Sequence, residues 1–176
     1  MFSTCRFRPA PFVVSIERAY GQPDGALGKF GNNVETAIMR FMILVKANKE
    51  SEAGVKPPDE LFAAMADYHE QLAKAGVLLD GSGLQPSSKG WRIRYSGDKR
   101  TVIDGPFAET KELVAGYTMI EVKSRAEALE WTRRYPNPTI GGKDCEIEVR
   151  QLFELEDFGE SELIDRFREI GVGTRK

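Results

Sequence analysis

The connection formed by residues 104–114 (DGPFAETKELV) carries the most chemically promising group of side chains in the sequence. It joins two strand-like apolar runs, 101–103 and 117–122, and such a connection needs only a turn. Instead it places the carboxylates of Asp104 and Glu109 close to the cation of Lys111, behind a Gly-Pro pair that restricts the backbone. We therefore expect the ligand-binding or catalytic site of the protein here.

Asp104 is the candidate catalytic residue of this connection. A carboxylate held at a strand end could act as a general base in a partly buried cavity. The alternative is that Asp104 caps its own turn by accepting backbone N–H groups. Cationic side chains opposite it could hold an anionic ligand, as guanidinium groups do for carboxylates. The predicted ligand-binding residues are Arg92, Arg94, Phe107, Glu109 and Lys111. For Glu109 and Lys111 the alternative is a surface or interface ion-pair network, and for Phe107 it is apolar packing.

His69 is the only histidine, and histidine is the side chain that ordinarily titrates near neutral pH. It is a second catalytic candidate, although its place beside an apolar helical stripe also fits a boundary residue. One histidine and two distant cysteines do not make a metal site, so we predict no metal. The glycine-rich stretch 80–83 lacks the length of a phosphate cradle and is predicted to be a turn. No cofactor is predicted.

Composition limits the class of protein. The chain has 176 residues, 41% of them hydrophobic and 30% charged, with a net charge of −2. These values are typical of a soluble globular domain and offer no basic surface for nucleic acid or anionic membrane. The sequence shows neither a signal-peptide pattern nor an apolar run of about 20 residues. We predict a cytoplasmic protein that binds neither nucleic acid nor membrane.

The regular elements begin near Met39, so the sequence divides into three regions. Residues 1–38 are rich in turn formers and are predicted to be a weakly ordered extension, or to precede a true start at Met39. Residues 39–156 form the predicted domain. Residues 157–176 form a charged amphipathic tail, whose apolar positions could dock within this chain or on another protein.

The order of strands and helices in residues 39–156 predicts an α+β fold of ferredoxin-like type. Two βαβ halves surround one antiparallel sheet, with both helices on one face. The hairpin strands 91–95 and 101–103 are expected in that sheet, so its other face should show Trp91, Ile93 and Tyr95, or else Arg92 and Arg94. Because large apolar side chains are seldom left in water, we expect a homodimer that encloses a cavity.

The sequence resembles the DGPF-domain proteins of the YCII-related superfamily. The resemblance rests on the motif 104–112 with Gly116 and Tyr117, and on flanking pieces of residues 39–153 in the same order. It implies a dimeric ferredoxin-like α/β barrel and a link to extracytoplasmic-function sigma factors. Related members carry a His–Asp pair; here Met65 stands where that histidine is expected, and Asp104 matches the aspartate.

Three functions follow from these observations. The first is a small-ligand-binding or regulatory homodimer whose cavity is lined by the segment 104–114. The second is an enzyme for a small organic acid or lactone, with Asp104 as the proton-transfer base. The third is an interaction module that binds a sigma factor through the C-terminal tail. Fold alone does not separate them.

Overall fold

The computed structural model describes residues 38–108 and 112–174. The expectations for residues 1–37, and for Glu109 and Lys111, therefore lie outside the described residues. Within the described ranges there are two layers and a separate hairpin. In chain order the elements are β1 Met39–Lys46, α1 Lys49–Glu52, α2 Asp59–Lys74, β2 Leu78–Gly83, β3 Trp91–Ser96, β4 Lys99–Asp104, β5 Val114–Val122, α3 Arg125–Arg133, β6 Ile147–Gln151 and α4 Glu162–Glu169.

The main sheet has four strands in the order β2-β5-β1-β6, and every pair of neighbours is antiparallel. Counting only these strands along the chain, this is the fourth-first-third-second order of a ferredoxin-like sheet. The α+β prediction is confirmed. The two helices begin as the sequence predicts: Pro58 precedes α2, and the Ser124 hydroxyl caps α3 by accepting from the Glu127 N–H group at 3.1 Å.

The core lies between this sheet and one side of α2 and α3. Alternate residues of β1 and β5 face the helices, because the strand period is two and the register pairs Phe41 with Ile120. Tyr68 and Leu72 of α2 complete the layer, so the predicted apolar stripe of that helix is buried at its C-terminal half. The buried members are Phe41, Ile43, Tyr68, Leu72, Val77, Ile120, Val122 and Ala128.

Strands β3 and β4 pair with each other and form a sheet separate from the main one. The prediction that Trp91, Ile93 and Tyr95 lie on the open face of the main sheet is therefore wrong. Alternation identifies which side chains share a face, but it does not identify the strand that a segment pairs with. The main sheet presents Met42, Leu44 and Met119 on the face away from the core, as their register alternates with the buried positions.

The stretch 80–83 is a strand rather than the predicted turn, because it continues β2 along β5. Gly81 lies opposite Thr118 and Gly83 opposite Gly116. Glycine is unfavourable in a strand unless a close approach requires it. Here a Cβ atom on Gly81 would lie 3.3 Å from the His69 Nε2 atom, and one on Gly116 would lie 3.0 Å from the Ser82 carbonyl oxygen.

The C-terminal tail docks within the chain, on the guanidinium of Arg40. Arg40 is 5% exposed and donates to both carboxylate oxygens of Glu154 at 3.1 Å. It also donates to the carbonyl oxygen of Gly173 at 2.8 Å and to those of Phe153 and Thr174. One buried cation thus joins β1 to the segment just before the tail and to the C-terminal part of the tail, and charge-assisted bonds of this kind are the stronger ones.

Candidate functional site

A cleft of about 710 Å³ lies beside the core, between the N-terminal half of α2 and the glycine-rich end of the β2–β5 pair. Its volume falls in the range typical of small-molecule sites. The loop before α2 and the segment after α3 form its rim. The lining residues are Val45, Ser51, Gly54, Val55, Lys56, Pro57, Leu61, Phe62, Met65, His69, Gly81, Ser82, Gly83, Leu84, Gln85, Pro86, Ala115, Gly116, Tyr117, Thr118, Tyr135 and Pro138.

The cleft exists because the sheet carries almost no side chains beneath this part of α2. Gly83 and Gly116 are paired across β2 and β5, and Gly81 is the next helix-facing position. Farther along β5 the same face carries Ile120 and Val122, which are buried in the core. The apolar stripe of α2 therefore continues over open space at Leu61 and Met65, which line the cleft.

His69 links α2 to β5 at the inner end of the cleft. Its Nδ1 atom lies 2.7 Å from the Met65 carbonyl oxygen, and its Nε2 atom lies 2.9 Å from the Thr118 hydroxyl oxygen. A carbonyl oxygen only accepts, so Nδ1 carries a hydrogen, whereas the Thr118 hydroxyl is able to donate to Nε2 or to accept from it. The histidine ring is thereby held in one orientation.

Tyr135 extends this chain of hydrogen bonds. Burial raises the pKa of the Tyr135 phenol, and its hydrogen bond with Thr118 offsets only part of that shift. The phenol therefore keeps its proton at neutral pH beside Thr118. Tyr68 packs edge-on against Tyr135, with ring centroids 5.0 Å apart, and fixes the ring from the core side.

Apolar surface dominates the rest of the lining, which carries one positive charge. Among the residues that line the cleft, Lys56 is the single lysine, arginine, aspartate or glutamate. Lys56 is exposed, while Leu61, Phe62, Met65 and Leu84 provide apolar walls. Such a site suits a molecule with an apolar body and a polar or anionic group.

The structure places the predicted site residues in two locations. His69 lies in the cleft. Asp104 lies at the exposed end of β4, opposite Trp91, and does not line the cleft. Arg92 and Phe107 contact each other, with the guanidinium carbon 4.0 Å from the centre of the ring, as in a cation–π pair. Arg94 is exposed in β3.

The described part of the DGPF segment is tied to the turn that precedes the hairpin. Ser87 is the central residue: its N–H and hydroxyl groups donate to the Glu52 carboxylate, and its hydroxyl oxygen accepts from the Phe107 N–H group at 3.1 Å. Gly105 approaches the same turn so closely that a Cβ atom would lie 1.9 Å from the Ser87 carbonyl oxygen. The glycine of the motif is therefore required for packing.

Several cleft residues were not predicted from the sequence. Thr118 and Tyr135 belong to segments identified for their apolar character, and no motif distinguishes them. The glycines at 81, 83 and 116 do indicate the cleft, but only once β2 and β5 are known to pair with each other.

The described residues contain no group of three or more His, Cys, Asp or Glu side chains that could hold a metal ion. No helix in the described ranges is long and apolar enough to cross a membrane.

The strand order, the two helices on one face and the core between them define a ferredoxin-like α+β domain. Its sequence relationships agree with the earlier resemblance. The model of the YCII-related domain family matches residues 39–155, and the chain belongs to that family. It is also similar to an uncharacterized protein of Rhizobium meliloti (strain 1021), with 34% identity over 110 residues, which covers 60% of this chain and 86% of the relative.

Proposed function

We propose that the protein binds a small, largely apolar organic molecule in the cleft beside α2, and that it does so as a homodimer. The observation that carries this proposal is a cleft of about 710 Å³ whose apolar walls converge on the oriented pair His69–Thr118. Sites for small molecules are mostly apolar, with a few fixed polar groups that set orientation. The cytoplasmic location stays a prediction from the sequence.

The charge of the lining favours an organic acid. A carboxylate at the rim would meet Lys56 without meeting an acidic side chain of the cleft. The other end of the molecule would meet the Thr118 hydroxyl and the His69 imidazole. A site in this volume range accepts an apolar body of roughly five to ten carbon atoms.

The experiment is a thermal-shift screen of aromatic and branched aliphatic acids against the full chain, with the matching alcohols and amines as comparison sets. Ligand at about 100 times its Kd stabilises the folded state by about 2.7 kcal/mol, which raises Tm by several degrees. The proposal predicts stabilisation by acids that weakens in Lys56→Gln. Stabilisation by none of the three sets would overturn it.

A second candidate function is proton transfer on the bound molecule. It is favoured by the placement of the only histidine, which lies in the cleft with its Nε2 atom bonded to a hydroxyl. Proton transfer through Asp104, the base predicted from the sequence, would require a substrate at the exposed end of β4. With a turnover assay on an identified ligand, His69→Asn should abolish the reaction and Asp104→Asn should leave it unchanged. The reverse result would favour Asp104.

A third candidate is binding to a partner protein, with a sigma factor as the predicted partner. It is favoured by α4 and the residue that follows it, which present Leu163, Phe167 and Ile170 at 62%, 45% and 71% exposure. Deleting the tail is a poor test, because Arg40 would lose Gly173 and Thr174 as acceptors. Leu163→Ser with Phe167→Ser should instead abolish co-purification of a partner while the fold is kept. Unchanged co-purification would contradict this function.

A further inference from the structure

Three polar side chains form a relay of hydrogen bonds at the inner end of the cleft. Thr118 is its middle member: the hydroxyl oxygen lies 2.9 Å from the His69 Nε2 atom, and the hydroxyl also bonds to the Tyr135 phenol. Each hydroxyl group has one hydrogen to donate and lone pairs with which to accept. The direction of one hydrogen bond therefore decides the direction of the next. We call these three residues the polar relay.

Tyr135 is the member of the polar relay with unused hydrogen-bonding capacity towards the cleft. Thr118 is 1% exposed, and its hydroxyl is shared between the other two members. Both ring nitrogens of His69 are already bonded, one to the Met65 carbonyl oxygen and one to Thr118. Tyr135 lines the cleft and is only partly buried, and a phenol that makes one bond as donor is still able to accept, or the reverse. The phenol is thus the group that is free to bind a polar atom of the ligand.

With a neutral imidazole, the hydrogens of the polar relay point towards His69. Nδ1 carries the hydrogen that the Met65 carbonyl oxygen accepts, so Nε2 offers a lone pair. The Thr118 hydroxyl then donates to Nε2, and its oxygen accepts the hydrogen of the phenol. The phenol oxygen is left with lone pairs for the cleft. In this state the site accepts a hydrogen bond, and a hydroxyl group of the ligand is the matching donor.

Protonation of the imidazole reverses the polar relay. Both ring nitrogens of His69 then carry a hydrogen, so Nε2 donates to the Thr118 oxygen. The Thr118 hydrogen turns to the phenol oxygen of Tyr135, and the phenol hydrogen is released towards the cleft. In this state the site donates a hydrogen bond, and a carbonyl oxygen of the ligand is the matching acceptor.

We propose that Tyr135 determines the specificity of the cleft for oxygenated organic acids, and that the charge of His69, passed on by Thr118, selects the oxygen group that is bound. The ligand carries a hydroxyl or a carbonyl group at the end away from its carboxylate. A neutral His69 favours the hydroxy acid, and a protonated His69 favours the oxo acid. Thr118 is a positioning residue. The inference rests on the proposed function, because it adds the phenol to the polar pair of the same cleft.

Among the described residues around the imidazole, the other titratable groups do not change charge near neutral pH. Burial raises the pKa of the phenols of Tyr68 on α2 and Tyr135 after α3. The Asp80 carboxylate of β2 raises the pKa of the Tyr117 phenol on β5 through a hydrogen bond of 2.8 Å. Lys56 lines the cleft from the loop before α2, and aspartate and lysine ordinarily titrate well outside the range of about pH 5 to 8. Histidine titrates within that range, and the chain has one.

The test uses three acids that differ at one position: cyclohexanecarboxylate, and its hydroxy and oxo derivatives substituted opposite the carboxyl group. Calorimetric titration of the full chain gives the three dissociation constants at about pH 5.5 and at about pH 8. The unsubstituted acid measures every effect of pH on binding of the carboxylate and the ring. From the higher to the lower pH, the dissociation constant of the hydroxy acid divided by that of the oxo acid should rise about fivefold or more.

Three variants separate the roles of the residues. Tyr135→Phe removes the phenol, so both derivatives should bind no better than the unsubstituted acid at either pH. Thr118→Val keeps the phenol and interrupts the polar relay, so the ratio should no longer depend on pH although the acids still bind. The matched control is Tyr95→Phe, at a 65% exposed tyrosine outside the cleft, which should behave as the wild type. Circular dichroism at both pH values checks that each variant is folded.

The outcomes distinguish this inference from the proposed function. If the acids bind and the wild-type ratio is the same at both pH values, the inference is wrong and the proposed function stands. A pH-dependent ratio that persists in Thr118→Val would also overturn the inference, as would an unchanged preference in Tyr135→Phe. Binding of none of the three acids at either pH would overturn the inference together with the organic acid of the proposed function.

Discussion

His69 and Thr118 are joined by a hydrogen bond of 2.9 Å across the inner end of the cleft, between the imidazole Nε2 atom and the threonine hydroxyl. The bond connects the middle of α2 to a buried position of the central part of the sheet. Because Thr118 is 1% exposed, its hydroxyl finds its partners within the protein rather than in bulk water. This hydrogen bond therefore belongs both to the lining of the cleft and to the edge of the core.

Replacing Thr118 with valine tests that contact, because valine keeps the shape and removes the hydroxyl. His69 and Tyr135 would each lose a partner, and an unsatisfied buried group costs about 1–3 kcal/mol. We expect Thr118→Val to lower the free energy of unfolding in urea by that amount. Thr101→Val, on the exposed hairpin, is the control and should change little. Equal effects of the two substitutions would contradict this role of Thr118.

Arg40 should be one of the most sensitive positions in the chain. Its guanidinium is buried against Glu154, and removing one partner of a buried ion pair costs about 3–5 kcal/mol. We expect Arg40→Met to reduce the free energy of unfolding by about that amount and to expose the tail to proteolysis after Phe153. The control Arg150→Met removes an arginine whose side chain is 72% exposed. A tail that stays protected in Arg40→Met would be inconsistent with this clamp.

Gly105 should not tolerate a methyl group. A Cβ atom there would overlap the Ser87 carbonyl oxygen, so the turn and the hairpin would have to separate. Overpacking costs about 1–3 kcal/mol, and we expect Gly105→Ala to show a loss in this range by chemical denaturation. Gly83→Ala is the matched control, because no atom lies within 4 Å of the Cβ position there. A loss no larger than that of the control would show that the turn can shift freely.

Tyr68 should make the fold sensitive to alkali. Burial raises the pKa of its phenol to about 12, whereas the unfolded chain ionises near pH 10. Between these values the unfolded state has lost the proton and the folded state keeps it, so stability falls by about 1.4 kcal/mol per pH unit. Tyr68→Phe should reduce the slope between pH 10 and 12 by that amount, and Tyr95→Phe should leave the slope unchanged. An identical slope in wild type and Tyr68→Phe would refute the assignment.

Much of the fold follows from local patterns in the sequence. The helix α3 begins at its serine cap, and α2 ends before Gly76, whose φ is 70°. Pairing across long stretches of chain was harder to predict. The hairpin has the same alternation as a strand of the main sheet, and no local rule places it outside. Arg40 falls in an apolar strand, and its partners lie more than 110 residues away.

The candidate site was less predictable than the fold, because part of the cleft is formed by glycines, which have no side chain. His69 was identified as a titratable group at the edge of a helical stripe, and its position in the cleft agrees with that placement. The space beside it depends on the glycines of β2 and β5 meeting in one register, which is a tertiary property. The functions predicted for Asp104, Arg92, Arg94 and Phe107, and for Glu109 and Lys111 outside the described residues, stay predictions.

The central claim is that the cleft binds a small molecule, and calorimetric titration of one chain variant tests it most directly. Leu84 lines the cleft and is 51% exposed, so Leu84→Trp adds bulk inside the site; Leu129, 41% exposed on α3, gives the matched control Leu129→Trp. With the best acid from the thermal-shift screen, the account predicts at least tenfold weaker binding to Leu84→Trp and wild-type affinity for Leu129→Trp. Wild-type affinity in a folded Leu84→Trp variant would contradict the claim.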